Sequence, residues 1–129
     1  MKLSKLTPML WVKNLDASVR FYVDVLGFAC ANQVENWAAL QRDDVEIMLS
    51  LPNEHSTIDR ILFSGSFYFR VEDVDAWWEN LKDKTKVAYP IENFFYGMRE
   101  FAIRDNNGYI LQFGQEITDP AQIPPPEMD

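Results

Sequence analysis

Val12-Lys13-Asn14-Leu15-Asp16-Ala17 returns as Val71-Glu72-Asp73-Val74-Asp75-Ala76, an offset of 71 − 12 = 59 residues. Each copy follows a short apolar run and precedes a helical pattern, so each reads as the end of a strand and the start of a helix. Asn14 or Asp73 can cap the free N–H groups of the first helical turn, where the next aspartate suits the helix dipole. Solenoid repeats run about 20–50 residues. The longer period therefore predicts two similar halves.

The composition describes a single globular domain of 129 residues, with 47% hydrophobic and 25% charged residues. Acidic residues outnumber basic ones 20 to 12, which argues against a nucleic-acid partner because phosphates need a basic surface. The charge is compatible with a cationic small molecule, although most acidic proteins are merely soluble. We find no apolar run long enough for a membrane helix and no signal peptide, so we expect no membrane partner and a cytoplasmic location.

Hydrophobic periodicity predicts the same order of elements in both halves. The first half has a strand over 7–12, a helix over 15–26 and strands over 28–34, 37–41 and 45–51. The second half has a strand over 66–71, a helix over 73–81, a short strand over 86–89, an irregular aromatic loop over 90–96, and strands over 98–104 and 109–115. This gives two βαβββ modules, about 5–52 and 62–116, joined by a polar linker over 52–59. A proline-rich tail over 118–129 should be disordered or draped over the surface.

Three stretches keep a fixed order along the chain: residues 12–28, residues 69–76 and residues 101–113. Together they resemble the vicinal oxygen chelate superfamily of glyoxalases, bleomycin-resistance proteins and extradiol dioxygenases. The resemblance covers nearly the whole chain and implies an α+β fold in which two βαβββ modules form a cupped mixed sheet around a cavity. Residues 34–45 and 96–105 are most similar to bleomycin-resistance proteins. That likeness implies a homodimer that sequesters a drug in clefts between its subunits and so gives antibiotic resistance without transforming the drug.

Enzymes of this superfamily hold a divalent metal with His, Glu or Gln at four strand positions, which the resemblance places at Thr7, Ser50, Ser66 and Gln112. Three hydroxyls and an amide cannot supply the imidazole or carboxylate ligands of such a site. The one histidine, His55, lies in the linker. We therefore expect no metal, no cofactor and no catalytic residue. The alternatives are a lyase, isomerase or dioxygenase of the same superfamily with an atypical metal site or none, and a regulatory or partner-binding subunit on this fold.

The single cysteine excludes an internal disulfide. Cys30 falls in a predicted strand, and no histidine lies nearby in the sequence to act as a base. We predict a buried strand residue and not a nucleophile.

Strand alternation predicts one face that packs on the helices and one that lines the cavity. The first face is almost purely apolar: Leu10, Val12, Ile47, Leu49, Phe67, Phe69, Phe101, Ile103, Leu111 and Phe113, against which Trp77 and Trp78 of the helix should pack. On the cavity side we predict that a flat cationic ligand stacks on aromatic rings and is oriented by carboxylates and an amide. The predicted ligand-binding residues are Trp11, Trp37, Glu46, Met48, Ser50, Ser66, Tyr68, Tyr96, Glu100 and Gln112. Two alternatives stay open: the aromatic residues could belong to the core or a dimer interface, and the two glutamates could be solvated strand-edge charges.

Overall fold

A computed structural model describes residues 1–52 and 62–126. The chain divides into two compact units, Met1–Ile61 and Leu62–Asp129. Each contains one copy of the hexapeptide, one main helix and a four-stranded mixed sheet. The α+β class is therefore confirmed. Most of the predicted linker, including His55, lies outside the described residues.

The first unit is built from β1 (Met9–Trp11), α1 (Leu15–Arg20), β2 (Ala29–Gln33), β3 (Trp37–Arg42) and β4 (Val45–Ser50). Its strand order is β1-β4-β3-β2, in which β1 runs parallel to β4 and the other pairs are antiparallel. The predicted cap is present, because Asn14 Oδ1 accepts a hydrogen bond from the Ala17 N–H at 3.0 Å.

The helix predicted over 15–26 changes its winding halfway. Residues Phe21–Val25 form a π-helix, and the N–H of Leu26 reaches the carbonyl of Phe21 at 3.3 Å. Gly27 ends the segment with a φ of +76°, the left-handed conformation that glycine adopts without strain. Hydrophobic spacing predicts a helix here but does not distinguish the two windings.

The second unit repeats this arrangement with β5 (Phe67–Arg70), α2 (Val74–Leu81), β6 (Lys86–Asn93), β7 (Met98–Arg104) and β8 (Ile110–Glu116). Its strand order is β5-β8-β7-β6, again with one parallel pair, β5 with β8. Asp73 Oδ1 caps α2 by accepting from the Ala76 N–H at 3.2 Å. The two copies of the hexapeptide thus begin equivalent helices.

The prediction of a short strand followed by an irregular loop over 90–96 was wrong. Strand β6 continues through Pro90 to Asn93, and only a turn at 94–97 separates it from β7. Pro90 is tolerated because β6 is an edge strand, where a missing N–H costs no ladder hydrogen bond. Register shifts beside Tyr89 absorb the irregularity.

Strand alternation predicted the core of each unit correctly except at Phe67 and Phe69, which are half-buried on the edge strand β5. In the first unit Leu10, Val12, Ile47 and Leu49 are buried. In the second unit, Trp77 stacks on Phe113 and Trp78 packs against Phe101, each at 5.2 Å between ring centroids. Within the described ranges, no helix is long and apolar enough to cross a membrane.

Cys30 is exposed, which contradicts the prediction of a buried strand cysteine. The reason is the position of β2, an edge strand in which all five residues are exposed. A strand pattern in the sequence does not show whether the strand lies at the edge or the centre of its sheet.

Candidate binding site

The face of the second sheet opposite α2 carries a row of polar side chains. Tyr68 on β5 is paired with Gln112 on β8. Gln112 is paired in turn with Ala102 on β7, and Ala102 with Tyr89 on β6. In the adjacent row, Glu100 on β7 is paired with Gly114 on β8. Directly paired residues share one face of a sheet, so these side chains converge on the side away from the aromatic core.

Glu100 is the centre of this convergence. Its side chain is fully buried, with 0% exposure. The Tyr68 hydroxyl donates to Oε1 at 2.9 Å, and the Tyr89 hydroxyl donates to Oε2. Gln112 Nε2 donates to the Tyr89 hydroxyl at 2.8 Å and lies 3.4 Å from Oε2 of the carboxylate. Ser66 Oγ donates in turn to Gln112 Oε1, so one connected network joins four strands.

Tyr96, from the turn between β6 and β7, places a third hydroxyl near the Glu100 carboxylate, which contributes to the raised pKa of that hydroxyl after burial. Burial raises the pKa of the Tyr68 and Tyr96 hydroxyls, and the adjacent carboxylate raises it further. Burial likewise raises the pKa of Tyr89 to about 12, with Glu100 adding to the increase and Gln112 opposing it. All three hydroxyls therefore remain protonated donors at neutral pH. We call Ser66, Tyr68, Tyr89, Tyr96, Glu100 and Gln112 the Glu100 cluster.

The charge in the Glu100 cluster has no ionic partner among residues 1–52 and 62–126: no cationic side chain of that part forms a salt bridge with Glu100. A buried carboxylate is costly unless hydrogen bonds or charges compensate it, and here neutral donors compensate it. Two tyrosines of the cluster are partly exposed, Tyr68 at 39% and Tyr96 at 51%. The site therefore presents partly exposed aromatic rings beside a buried carboxylate, and the Arg70 guanidinium carbon lies 6.0 Å from the centroid of the Tyr68 ring.

Gly114 makes room for one of these rings. A Cβ added there would lie 2.0 Å from the Tyr68 hydroxyl oxygen and 2.6 Å from Cζ. The backbone of Gly114 is not in the left-handed region, so its role is steric. The absence of a side chain lets the Tyr68 hydroxyl reach Glu100.

The turn at 94–97, which we call the aromatic turn, holds Tyr96 in place. Tyr96 stacks on Phe94 with ring centroids 5.4 Å apart and planes inclined by 11°, and Phe94 meets the Tyr89 ring edge-on at 5.8 Å. Gly97 closes the turn with a φ of +86°, which side-chain-bearing residues rarely adopt. The rings of Tyr89, Phe94 and Tyr96 thus pack against one another within the protein itself.

The candidate residues of the first unit form a different surface. Ser50 on β4 is paired with Trp11 on one side and Trp37 on the other, so these three share a face. Met48 lies in the neighbouring row, paired with Met9. This group offers partly exposed aromatic and apolar contact area, with Trp11 at 42% exposure.

Glu46 differs from Glu100 because its charge is already paired. Lys5 Nζ donates to Glu46 Oε2 at 3.1 Å, and Thr7 Oγ1 donates to Oε1 at 3.0 Å. The hydrogen bond from Lys5, followed by that from Thr7, lowers the pKa of the Glu46 carboxyl. A carboxylate that already has a lysine partner attracts a cationic guest less than an unpaired one.

The strand register assigns a different residue to one of the four metal positions of the family. Met9 pairs with Met48 and Tyr68 pairs with Gln112, and these first-strand residues are related by the 59-residue offset. Met48 therefore corresponds to Gln112, and the assignment of Ser50 was wrong by two residues. The offset is not constant along the chain because the connections within the two modules differ in length.

No metal ligand set is formed in the part of the chain that the structure describes. No three His, Cys, Asp or Glu side chains converge there. Ser66 and Gln112, two of the positions that the resemblance assigns to metal ligands, hydrogen-bond with each other, and Thr7, a third, hydrogen-bonds with Glu46 of its own unit.

Five of the ten predicted ligand-binding residues meet in the second unit: Ser66, Tyr68, Tyr96, Glu100 and Gln112. Sequence reasoning missed Tyr89, because the register shifts on either side of it break the alternation that would have placed it on this face. It also missed the steric role of Gly114. A glycine within an otherwise well-patterned strand was the available signal, since it often marks a close approach.

Comparison with known proteins agrees with this architecture. Residues 5–113 match the family model described as the Glyoxalase/Bleomycin resistance protein/Dioxygenase superfamily. A search of curated proteins finds no similar sequence.

Several solved structures are similar in fold. A lactoylglutathione lyase from Agrobacterium tumefaciens is 22% identical with a TM-score of 0.72, covering 89% of this chain and 96% of that one. A glyoxalase/bleomycin resistance protein/dioxygenase from Nocardioides is 17% identical with a TM-score of 0.73, covering 100% and 92%. TioX from Micromonospora sp. ML1 is 20% identical with a TM-score of 0.69, covering 88% and 99%. At these identities the likeness concerns the fold, while the family match spans most of the chain. The protein belongs to the glyoxalase/bleomycin resistance protein/dioxygenase superfamily.

Proposed function

We propose that this protein binds a small, flat, cationic compound non-covalently at the Glu100 cluster and does not convert it. The observation that supports this most directly is the fully buried Glu100 carboxylate, which accepts hydrogen bonds from two tyrosine hydroxyls and has no salt-bridge partner in the described ranges. Aromatic faces attract cations by about 0.5–2 kcal/mol each. A flat guest would use the two exposed rings, Tyr68 and Tyr96, for stacking and for this attraction together.

The buried charge strengthens the preference for a cation over a neutral molecule. A guest cation about 6 Å from the carboxylate gains roughly 2–3 kcal/mol if the effective dielectric constant is about 20. That gain corresponds to about a 30- to 150-fold preference over a neutral compound of the same shape. The hydrogen bonds that the hydroxyls donate also polarise the rings, which adds to their attraction for positive charge.

A matched pair of probes tests this proposal. We expect N-methylacridinium to quench tryptophan fluorescence on binding, and neutral acridine at mildly alkaline pH to bind about 30-fold or more weakly. Glu100→Gln keeps the shape of the side chain and should abolish the preference. Glu79→Gln removes the same charge from an exposed position on α2 and should preserve it.

Two results would overturn the proposal. One is the absence of any response to N-methylacridinium or to bleomycin at high micromolar concentration. The other is a cation preference that survives Glu100→Gln, since the preference would then arise elsewhere.

We further propose that the protein acts as a homodimer, as the likeness to bleomycin-resistance proteins implies, and that it sequesters a drug in the cell. Sedimentation velocity at micromolar concentration tests the first statement. A monomer with full affinity for the cationic probe would contradict it. Drug sequestration predicts that cells expressing the Glu100→Gln variant tolerate less drug than cells expressing the wild type.

Catalysis is the second candidate function. Clusters of buried titratable groups with perturbed pKa values are typical of active sites, and one solved structure of similar fold is a lactoylglutathione lyase. Metal analysis of the purified protein and an assay for lactoylglutathione turnover distinguish the two functions. Stoichiometric divalent metal, lost together with turnover in a Gln112→Leu variant, would favour the enzyme over the binding protein.

A further inference from the structure

We infer that the segment Ile117–Ile123, which we call the brace, is a positioning part of the guest site because it holds the aromatic turn. In that turn Tyr96 stacks on Phe94, Phe94 packs against the Tyr89 ring, and the Tyr89 hydroxyl donates to Glu100. This inference rests on the proposed function and names a positioning element of the same site. The brace touches no residue of the Glu100 cluster by any of its hydrogen bonds in the described ranges. Its effect on a guest would be exerted through Tyr96.

The brace forms hydrogen bonds at both ends of the aromatic turn. At one end, the N–H of Ile117 donates to the carbonyl of Gly97 at 2.8 Å. At the other end, Asn93 Nδ2 donates to the carbonyl of Gln122 at 3.0 Å. The side chain of Ile123 lies over Gly97, with Cδ1 3.8 Å from the position that a Cβ would occupy. Two hydrogen bonds and one apolar contact thus span the turn that carries Tyr96.

The brace is preorganised for this contact by its own sequence. Asp119 Oδ1 accepts from the Ala121 N–H at 3.0 Å, and Pro120 begins a single turn of 3-10 helix over Pro120–Gln122. Proline suits this first helical position because its N–H is not needed there. The turn ends with the Ile123 N–H donating to the carbonyl of Pro120 at 3.2 Å. The Gln122 carbonyl is therefore presented to Asn93 by a fixed local structure.

On its other side the aromatic turn is tied to the framework of the unit. Asn93 Oδ1 accepts a hydrogen bond from Arg99 Nη1 at 3.0 Å. Arg99 also forms a bidentate ion pair with Asp75 at the start of α2, through Nε to Oδ2 and Nη2 to Oδ1. The turn also keeps its own closing bonds, from the Phe94 N–H to the Met98 carbonyl and from the Gly97 N–H to the Phe94 carbonyl. Loss of the brace would therefore loosen the turn without opening the hairpin.

The alternative is that the brace only adds stability to the hairpin. The two readings differ in what happens to the Tyr96 hydroxyl. If the brace positions Tyr96, its removal should release the Tyr96 ring from its stack on Phe94, change the environment of its hydroxyl and weaken guest binding, while the remaining sheet stays folded. If the brace only stabilises, the unfolding temperature should fall with the environment of Tyr96 unchanged.

Two truncations make a matched pair for this test. One ends the chain after Ile117 and removes most of the brace; the other ends it after Ile123 and keeps the whole brace. Asn93→Asp is a second, milder variant: it loses the Nδ2 donor to Gln122 but keeps an oxygen for Arg99. Each is labelled with 3-fluorotyrosine, and the Tyr96 resonance in the fluorine NMR spectrum is identified by its absence in Tyr96→Phe.

We expect truncation after Ile117, and to a smaller extent Asn93→Asp, to move the Tyr96 resonance toward that of an exposed tyrosine. We expect the same truncation to weaken N-methylacridinium binding about tenfold, the loss of roughly one aromatic contact. Truncation after Ile123 should change neither. In a Tyr96→Ala background, truncation after Ile117 should cause no further loss of affinity.

An unmoved Tyr96 resonance after truncation at Ile117, or an equal loss of affinity in the Tyr96→Ala background, would overturn the inference. Failure of the proposed function is recognised separately, because it appears as a wild-type protein that binds no cationic probe. The resonance alone then decides whether the brace holds Tyr96.

Discussion

Replacing Gly114 by alanine should drive the Tyr68 hydroxyl away from Glu100. The new Cβ would lie 2.0 Å from the hydroxyl oxygen, well under the 3.0 Å that real Cβ contacts respect, so the ring must turn outward. The buried carboxylate then loses a hydrogen bond, which costs about 1.5–3 kcal/mol when one partner is charged. The substitution offsets about 0.4–1 kcal/mol of this loss, because alanine allows the unfolded chain fewer conformations than glycine does. We expect a net loss of about 0.5–2.6 kcal/mol in the free energy of unfolding.

Urea unfolding followed by tryptophan fluorescence measures this loss, and a double-mutant cycle with Tyr68→Phe identifies its cause. The phenylalanine variant lacks the same hydrogen bond, so Gly114→Ala should cost less in that background than in the wild type. The coupling free energy should be about 1 kcal/mol or more, as is usual for residues in contact. A Gly114→Ala protein within about 0.5 kcal/mol of the wild type, or strictly additive costs, would refute the reasoning.

Three further predictions follow from the charges around the site. Because burial and the adjacent Glu100 carboxylate raise the pKa of Tyr89 to about 12 in the folded protein, the unfolded chain, with an ordinary tyrosine pKa of about 10, loses this proton first. The stability contribution should be complete below pH of about 10 and lost as the pH rises toward about 12; urea unfolding should show a smaller alkaline loss in Glu100→Gln. The hydrogen bonds from Arg99 lower the pKa of Asp75, so its contribution should be present above the unfolded value of about 4 and lost as the pH falls through the folded value. Arg99→Met should raise the pKa of this carboxyl in an NMR titration, but the change in stability should stay below about 1 kcal/mol because the Asp75 side chain is 59% exposed. Finally, the Arg70 guanidinium carbon lies 6.0 Å from the centroid of the Tyr68 ring. A cation at this position competes with a guest cation for the same ring. Arg70→Met should strengthen N-methylacridinium binding about two- to fivefold by calorimetry, and weaker binding would show that Arg70 itself contacts the guest.

The sequence by itself determines the modular plan of this protein. A strand end, a capping side chain and a helix start are local features, and the hexapeptide encodes them twice. Both caps form as predicted, at Asn14 and at Asp73. Alternation along a strand is also local, so it separates the apolar face of each sheet from the polar one without knowledge of the neighbouring strands.

Properties that depend on neighbouring strands were decided only by the tertiary structure. Cys30 is exposed because β2 lies at an edge, and Tyr89 joins the cluster because bulges in β6 turn it to the polar face. The clearest case is the pair of glutamates that the sequence presents as equivalent. Glu46 is partly exposed and paired with a lysine, whereas Glu100 is fully buried and hydrogen-bonded to tyrosine hydroxyls. The solvation and the partners of a carboxylate are set by residues distant in sequence, so only the folded sheet decides which glutamate keeps an unpaired buried charge.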